Sequence, residues 1–263
     1  MKVIEEPQLA VKRKLPWLID VFIYPTSISG IIHLVIFLGL PPIVWSLFTH
    51  IPLLPFFIFI FLVLGFYMLF VGYIFYYLAY CVVDSAKGGR RAPDISIYRT
   101  PSKGELISQL LCVFAGLAFC FWPAGVYYAF RETADAFFWF LLACGMFFLP
   151  MALLAVLMFD SLDALNPIMI IKSIYKTFFT YIALVPFFFI LGGLATIIIF
   201  RISDLFKPQS LRQLLGCISL VLGYIYNIGL TWPGIVFIYL AMVGAHLLGC
   251  FYWWHKDKLD WGL

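Results

Sequence analysis

Apolar runs long enough to cross a membrane follow one another along almost the whole chain. A transmembrane helix needs about 20 consecutive apolar residues, because the hydrocarbon core is about 30 Å thick. Only 11% of the 263 residues are charged, whereas a soluble domain has about a quarter. The sequence therefore predicts an all-α integral membrane protein. We expect about six transmembrane helices, over residues 29–48, 54–83, 105–130, 136–159, 168–200 and a last span that ends near residue 254.

The final apolar run, residues 214–254, is longer than one span requires. About forty helical residues would reach about 60 Å, twice the hydrocarbon thickness. The sequence Thr231-Trp232-Pro233-Gly234 interrupts this run, which leaves either a seventh span or a re-entrant or interfacial segment. A turn in water would carry charged or strongly polar side chains, and this interruption has none. We therefore favour a re-entrant or interfacial segment near residues 213–230.

The N-terminal part of the chain differs from the spans that follow it. Trp17, Leu18, Val21 and Phe22 share one helical face, which is typical of a helix lying at the membrane interface. Polar blocks elsewhere are too short to fold separately in water. We expect three parts: a cytoplasmic tail with the interfacial helix (residues 1–28), one polytopic membrane domain (residues 29–255) and a short cytoplasmic tail (residues 256–263).

The distribution of Lys and Arg predicts the orientation of the chain. With six spans, about 13 of these residues fall on the side of the N terminus and about 4 on the opposite side. Cytoplasmic loops carry the excess of positive charge. We therefore expect a multi-pass protein of the inner (cytoplasmic) membrane with both termini in the cytoplasm.

The longest polar loop, residues 84–104, is basic and rich in glycine and proline. Basic clusters next to a span attract anionic lipid, so membrane lipids are expected partners. The alternative is a loop that only fixes topology and binds no specific ligand. A folded basic module outside the membrane is not predicted, so nucleic acid is not an expected partner. The candidate residues for lipid headgroups are Lys87, Arg90, Arg91, Arg99 and Lys103.

Two histidines, His33 and His246, are the ionisable residues placed well inside the predicted spans. In the predicted topology they lie at similar depths, within about one helical turn, so they could meet. Facing imidazoles could ligate a haem, line a quinone pocket or relay protons. The alternative is that each makes one interhelical hydrogen bond or reaches the headgroups. We predict no bound cofactor. If the protein does bind haem or quinone, His33 and His246 are the candidate residues for that contact.

Motifs for enzymatic chemistry are not found in the sequence. The six cysteines are dispersed and form no C-x-x-C pair. Zincin, P-loop and nucleophile-elbow patterns do not occur. Asp160 and Asp163 could bind a divalent cation, but a short acidic corner before the Asn166-Pro167 helix start is explained by helix capping. We therefore expect a protein that is not an enzyme and has no metal site.

Several stretches of the sequence resemble one known group of proteins. They are residues 148–154, residues 159–167, Ala92-Pro93-Asp94 after an early span, and residues 247–252 before two lysines. Together they resemble uncharacterised bacterial polytopic membrane proteins of the domain-of-unknown-function 4013 type. The sequence Trp253-Trp254-His255 departs from the arginine-rich end expected there. The resemblance implies a membrane fold and no reaction or catalytic residue.

Three functions remain open at the level of sequence. We favour a non-catalytic accessory or scaffold subunit of a membrane complex, with other membrane subunits and lipids as partners, because the loops are too short for a soluble active site. The alternative is a small-molecule or lipid transporter with helices broken at Pro123, Pro186 and Pro233. The second alternative is an electron-transfer subunit that binds haem or quinone.

Overall fold

The computed structural model describes residues 17–49, 56–94, 102–203, 232–259 and 261. These residues form helices joined by turns, and they contain no strand. The all-α prediction is therefore confirmed. The helices are α1 (Trp17–Ile23), α2 (Ile28–Thr49), α3 (Phe56–Ala86), α4 (Lys103–Arg131), α5 (Ala136–Phe159), α6 (Pro167–Lys176), α7 (Phe178–Ser203) and α8 (Trp232–Leu259).

Among the described residues, four helices, α3, α4, α5 and α8, are each long and apolar enough to cross a membrane. Two further spans require bent pairs: α1 and α2 meet at 62°, and α6 and α7 meet at 110°. Counting each pair as one span gives up to six, which agrees with the number predicted. The re-entrant or interfacial segment predicted near residues 213–230 lies outside the described residues.

The break between α6 and α7 differs from the sequence prediction of one continuous span over residues 168–200. In the sequence, Pro186 and Gly192-Gly193 are the expected weak points of this span, yet α7 remains helical through them. The break occurs at Thr177, whose hydroxyl donates to the Ser173 carbonyl at 2.8 Å. The Thr177 N–H is also shared between two carbonyl oxygens, which loosens the helical ladder there. As a result α6 is a separate ten-residue helix.

The corner between α5 and α6 forms as the sequence indicates. The Asn166 side chain accepts a hydrogen bond from the Ile168 N–H at 3.0 Å, and Pro167 occupies the first turn of α6. The residue Asp160, at the end of α5, has a φ of 49° and accepts from the Gln109 amide at 2.8 Å. This bond ties the end of α5 to the start of α4.

The centre of the bundle depends on close contact between α3 and α8. A Cβ atom at Gly249 would lie 2.4 Å from both the Val82 carbonyl oxygen and the Ser85 Cβ. Only glycine allows the two backbones to approach so closely, as in other interhelical contacts within membranes. A second close contact joins α4 and α5, where a Cβ at Gly145 would lie 2.6 Å from the Cys120 carbonyl oxygen.

Candidate functional site

His33 lies near the start of α2 and is buried, with 4% of its surface exposed. Its Nδ1–H donates to the Ser29 carbonyl oxygen at 2.8 Å, one turn earlier in the same helix. The imidazole stacks on the Tyr77 ring, with centroids 3.9 Å apart and an interplanar angle of 15°. His33 therefore joins α2 to α3 through a ring contact.

His246 lies in the middle of α8 and is also buried. Its ring stacks on Tyr24 with centroids 3.9 Å apart and an interplanar angle of 12°. Its Nδ1 is 2.7 Å from the Ser85 hydroxyl of α3, and its Nε2 is 3.5 Å from the Cys250 sulfur. His246 therefore connects α8 to α3 and to the turn between α1 and α2.

Both histidines belong to one buried group of side chains. Tyr77, Cys81 and Ser85 are spaced four residues apart, so they share one face of α3. The Cys81 thiol faces the hydroxyl groups of both Tyr24 and Tyr77. We call this group the histidine seam, and its members are Tyr24, His33, Tyr77, Cys81, Ser85 and His246.

The hydroxyl oxygens of Tyr24 and Tyr77 are buried, and within the described part of the chain neither has a hydrogen-bond partner at regular geometry. The Cys81 thiol beside them is a weak donor and a weak acceptor. The rings of these tyrosines therefore contribute packing, whereas the desolvation of their hydroxyl groups, which meet only the weakly bonding Cys81 thiol, offsets part of that gain.

The seam brings the two predicted histidines into one cluster, but it attaches them at different levels of α3. The attachment points, Tyr77 and Ser85, are eight residues apart, or about 12 Å along the helix axis. Two imidazole nitrogens that share one metal ion would be about 4 Å apart, since a metal–nitrogen bond is about 2 Å long. Haem or quinone contact at His33 and His246 stays a prediction, and a visible absorption spectrum of the purified protein tests the haem version.

A third histidine, His255, was not predicted as a site residue. It is 6% exposed, and its Nδ1–H donates to the Phe251 carbonyl oxygen at 2.9 Å. Its Nε2 lies 2.9 Å from the Thr180 hydroxyl of α7, so it links α8 to α7. The sequence signal that could have identified it is its position in the helical repeat of α8, where it lies on the same buried side as Leu248, Phe251 and Leu259.

The residues predicted to meet lipid headgroups are only partly described. Lys87 and Arg91 are exposed and Arg90 is half-buried, in the turn after α3. Lys103 begins α4, and Arg99 lies outside the described residues. The end of α8 lies beside this turn and adds another cation, Lys256. Its ammonium group lies 4.5 Å from the centroid of the Trp253 ring. Gly88 of the turn faces that same tryptophan.

The helix α6 has one buried side and one exposed side. Ile170, Ser173 and Ile174 are buried, and the Ser173 hydroxyl accepts from the Trp261 indole at 3.0 Å. The opposite side mixes apolar and charged residues: two isoleucines and one tyrosine that are 57–84% exposed, and two exposed lysines. We call this side the α6 face, and its members are Ile168, Ile171, Lys172, Tyr175 and Lys176.

Asp135 lies in the short turn between α4 and α5. Its side chain accepts hydrogen bonds from the Tyr127 hydroxyl and from the Phe138 N–H, the second at 3.0 Å. Both bonds favour the ionised carboxylate, so they hold the pKa of Asp135 below its usual value. Asp135 therefore caps α5 from an exposed position.

No family model, curated protein or solved structure matches this chain. The resemblance to proteins of the domain-of-unknown-function 4013 type stays a prediction.

Proposed function

We propose that this protein is a non-catalytic integral subunit of a membrane complex, and that it docks a partner subunit through the α6 face. The proposal rests on a contrast between polar side chains that are buried and bonded within the chain and polar side chains that face outward from α6. The buried His246 and His255 bond to other helices of the same chain. The α6 face, by comparison, presents aliphatic, aromatic and basic side chains outward.

The composition of the α6 face supports a docking role. Tyr175 is 84% exposed and Ile168 is 74% exposed, although α6 is anchored from its other side by the contact of Ser173 with Trp261. Exposed tyrosine on a rigid element is a common anchor in protein interfaces. The lysines beside it give the face a positive charge that would select an acidic partner surface.

We further propose that the end of the bundle that carries α6 is cytoplasmic, in an inner membrane, with both termini on that side. Gly88 faces Trp253, and Phe159 contacts Trp261, so α3, α5 and α8 finish at the same end. Positive charge is concentrated there, as expected for cytoplasmic segments. In the described part of the chain this end has Lys87, Arg90, Arg91, Lys103, Lys172, Lys176, Lys256 and Lys258, and the opposite end has Arg131 and Arg201.

Purification from native membranes in a mild detergent tests the subunit role. The variant is Tyr175→Asp, which places a charge in the α6 face. The matched control is Leu162→Asp, because Leu162 is 53% exposed in the corner before α6 but does not belong to the face. We expect wild type and Leu162→Asp to retain the same partner protein by mass spectrometry and Tyr175→Asp to lose it. Recovery of wild type as a monomer with lipid alone would contradict the proposal.

A transporter is the second candidate, and the two bent helix pairs favour it. Discontinuous helices commonly form substrate sites in transporters. The bends lie at Ser27 and Thr177, whereas α4 and α7 remain helical through Pro123 and Pro186. A carrier exposes its site to each side in turn. Labelling of a cysteine introduced at Ser27 by an impermeant thiol reagent from both sides would support a carrier, and labelling from one side only would oppose it.

A further inference from the structure

A cavity of about 290 Å³ lies between α1, α7 and α8. Phe22 contributes from α1, Ala183 and Phe187 from α7, and Leu247 and Trp254 from α8. All of these side chains are apolar or aromatic. The one hydroxyl in the lining, that of Thr180, is bonded to the Thr177 carbonyl and to His255. The cavity is therefore an apolar groove beside α8, which is long and apolar enough to span a membrane, and beside α1 and α7, which belong to the two bent pairs.

The size of this groove limits what can occupy it. One turn of a helix about 10 Å wide and 5.4 Å high fills about 400 Å³, so a helix from a partner or a second copy could insert side chains into the groove but could not enter it. A methylene group takes up close to the ~30 Å³ share of a liquid water molecule. The groove therefore accommodates about ten methylenes, which is a large part of one acyl chain.

The charge at the end of the groove indicates which lipid would be held. On α8, Trp254 and Lys258 are separated by one turn, so Lys258 continues the stripe of side chains that lines the groove. Lys258 is exposed. An acyl chain is already in hydrocarbon before it binds, so apolar walls add packing contacts and no hydrophobic transfer. Selection between lipids then depends on the headgroup, and an anionic one is favoured because Lys256 and Lys258 outweigh the single carboxylate of Asp257 at this end of α8.

We infer that this groove is a binding site for one acyl chain of an anionic phospholipid whose headgroup lies at Lys258. The groove shares no residue with the α6 face, so the inference rests on membrane residence and does not depend on the docking role. A lipid held here would bridge α1, α7 and α8 and would stabilise the bend between α1 and α2.

Native mass spectrometry of protein extracted from vesicles of phosphatidylglycerol and phosphatidylcholine in equal amounts tests this site. Ala183→Trp fills the groove, because Ala183 is part of its lining. Ala118→Trp is the matched control, since Ala118 is an exposed alanine of α4 outside the groove. We expect wild type and Ala118→Trp to retain one phosphatidylglycerol and Ala183→Trp to retain at least about tenfold less, the factor given by 1.4 kcal/mol of lost contact. Equal retention by all three proteins would overturn the inference.

The headgroup is tested separately with Lys258→Gln, and Lys172→Gln serves as the control because it removes an exposed lysine outside the stripe. Lys258→Gln is expected to keep one lipid and to lose the preference for phosphatidylglycerol. An unchanged preference would overturn the assignment of an anionic headgroup at Lys258. Ala183→Phe is measured beside Ala183→Trp, so that a smaller ring still fills the groove if tryptophan prevents folding.

Discussion

The histidine seam and the α6 face both interrupt an apolar sequence with polar residues, yet they use those residues in opposite ways. In the seam, His246 bonds to Ser85 and stacks on Tyr24, so its polar atoms hold helices together. On the α6 face, Lys172 and Tyr175 are exposed and lie opposite the buried side of the helix. A polar residue inside a membrane sequence is therefore weak evidence of an active site until its neighbours are known.

The largest expected effect is at the glycine that brings α3 and α8 together. We expect Gly249→Ala to lower the free energy of unfolding by about 3 kcal/mol, because the new Cβ meets backbone that cannot move aside. The matched control is Gly125→Ala in α4, where the described structure leaves the Cβ position open, and it is expected to add about 0.5–1 kcal/mol. Thermal unfolding in detergent compares the two variants. Equal stability would show that the seam is not closely packed.

The next effect separates bonded polar groups from unbonded ones within the seam. Ser85→Ala removes the hydroxyl bonded to His246 and is expected to lower the free energy of unfolding by about 1–3 kcal/mol. Tyr77→Phe removes a buried hydroxyl that has no regular partner in the described residues, so no loss of stability is expected and a gain of about 1 kcal/mol can follow, because an unpaired buried hydroxyl costs desolvation energy. Chemical denaturation measures both. A larger loss for Tyr77→Phe than for Ser85→Ala would reverse our interpretation of the seam.

On the α6 face, we expect a substitution to reduce partner binding without changing the free energy of unfolding. Tyr175→Ser should leave the free energy of unfolding within about 0.5 kcal/mol of wild type, because the side chain is 84% exposed. The same variant should reduce the partner recovered on purification about tenfold, since an exposed tyrosine anchor contributes 1.4 kcal/mol or more to an interface. If the variant lost both stability and partner, Tyr175 would have a structural role, and the α6 face would no longer differ from the seam.

The smallest effect concerns Asp135, at the opposite end of the bundle. Its pKa is lowered in the folded protein, so its ionised form stabilises the fold above its usual pKa, and this contribution is lost as the pH falls through the lowered value. Asp135→Asn should therefore unfold at a slightly lower temperature than wild type at pH 7. The difference should begin to shrink at about pH 4, the ordinary pKa of the carboxyl group, and should disappear once the pH is below the lowered pKa of the folded protein. A difference that persists in acid would mean that the charge has no role.

Much of the fold could be predicted because span length and helix caps are local properties. The fourth predicted span, residues 136–159, coincides with α5, and the Asn166 cap forms as expected. The break at Thr177 could not be predicted, because neither glycine nor proline marks it and tertiary contacts of Ser173 help to fix α6. His255 was missed for a related reason: it follows a span end, and its burial comes from contact with Thr180 on another helix.

We propose that the α6 face binds a partner protein, whereas the histidine seam only holds the bundle together. Photocrosslinking in native membranes tests this, with a benzophenone amino acid in place of Tyr175 and, as control, in place of Leu111, an outward-facing position of α4 that is 60% exposed. We expect a protein adduct of one defined mass from position 175 and lipid adducts alone from position 111. Lipid adducts alone from both positions would contradict the claim.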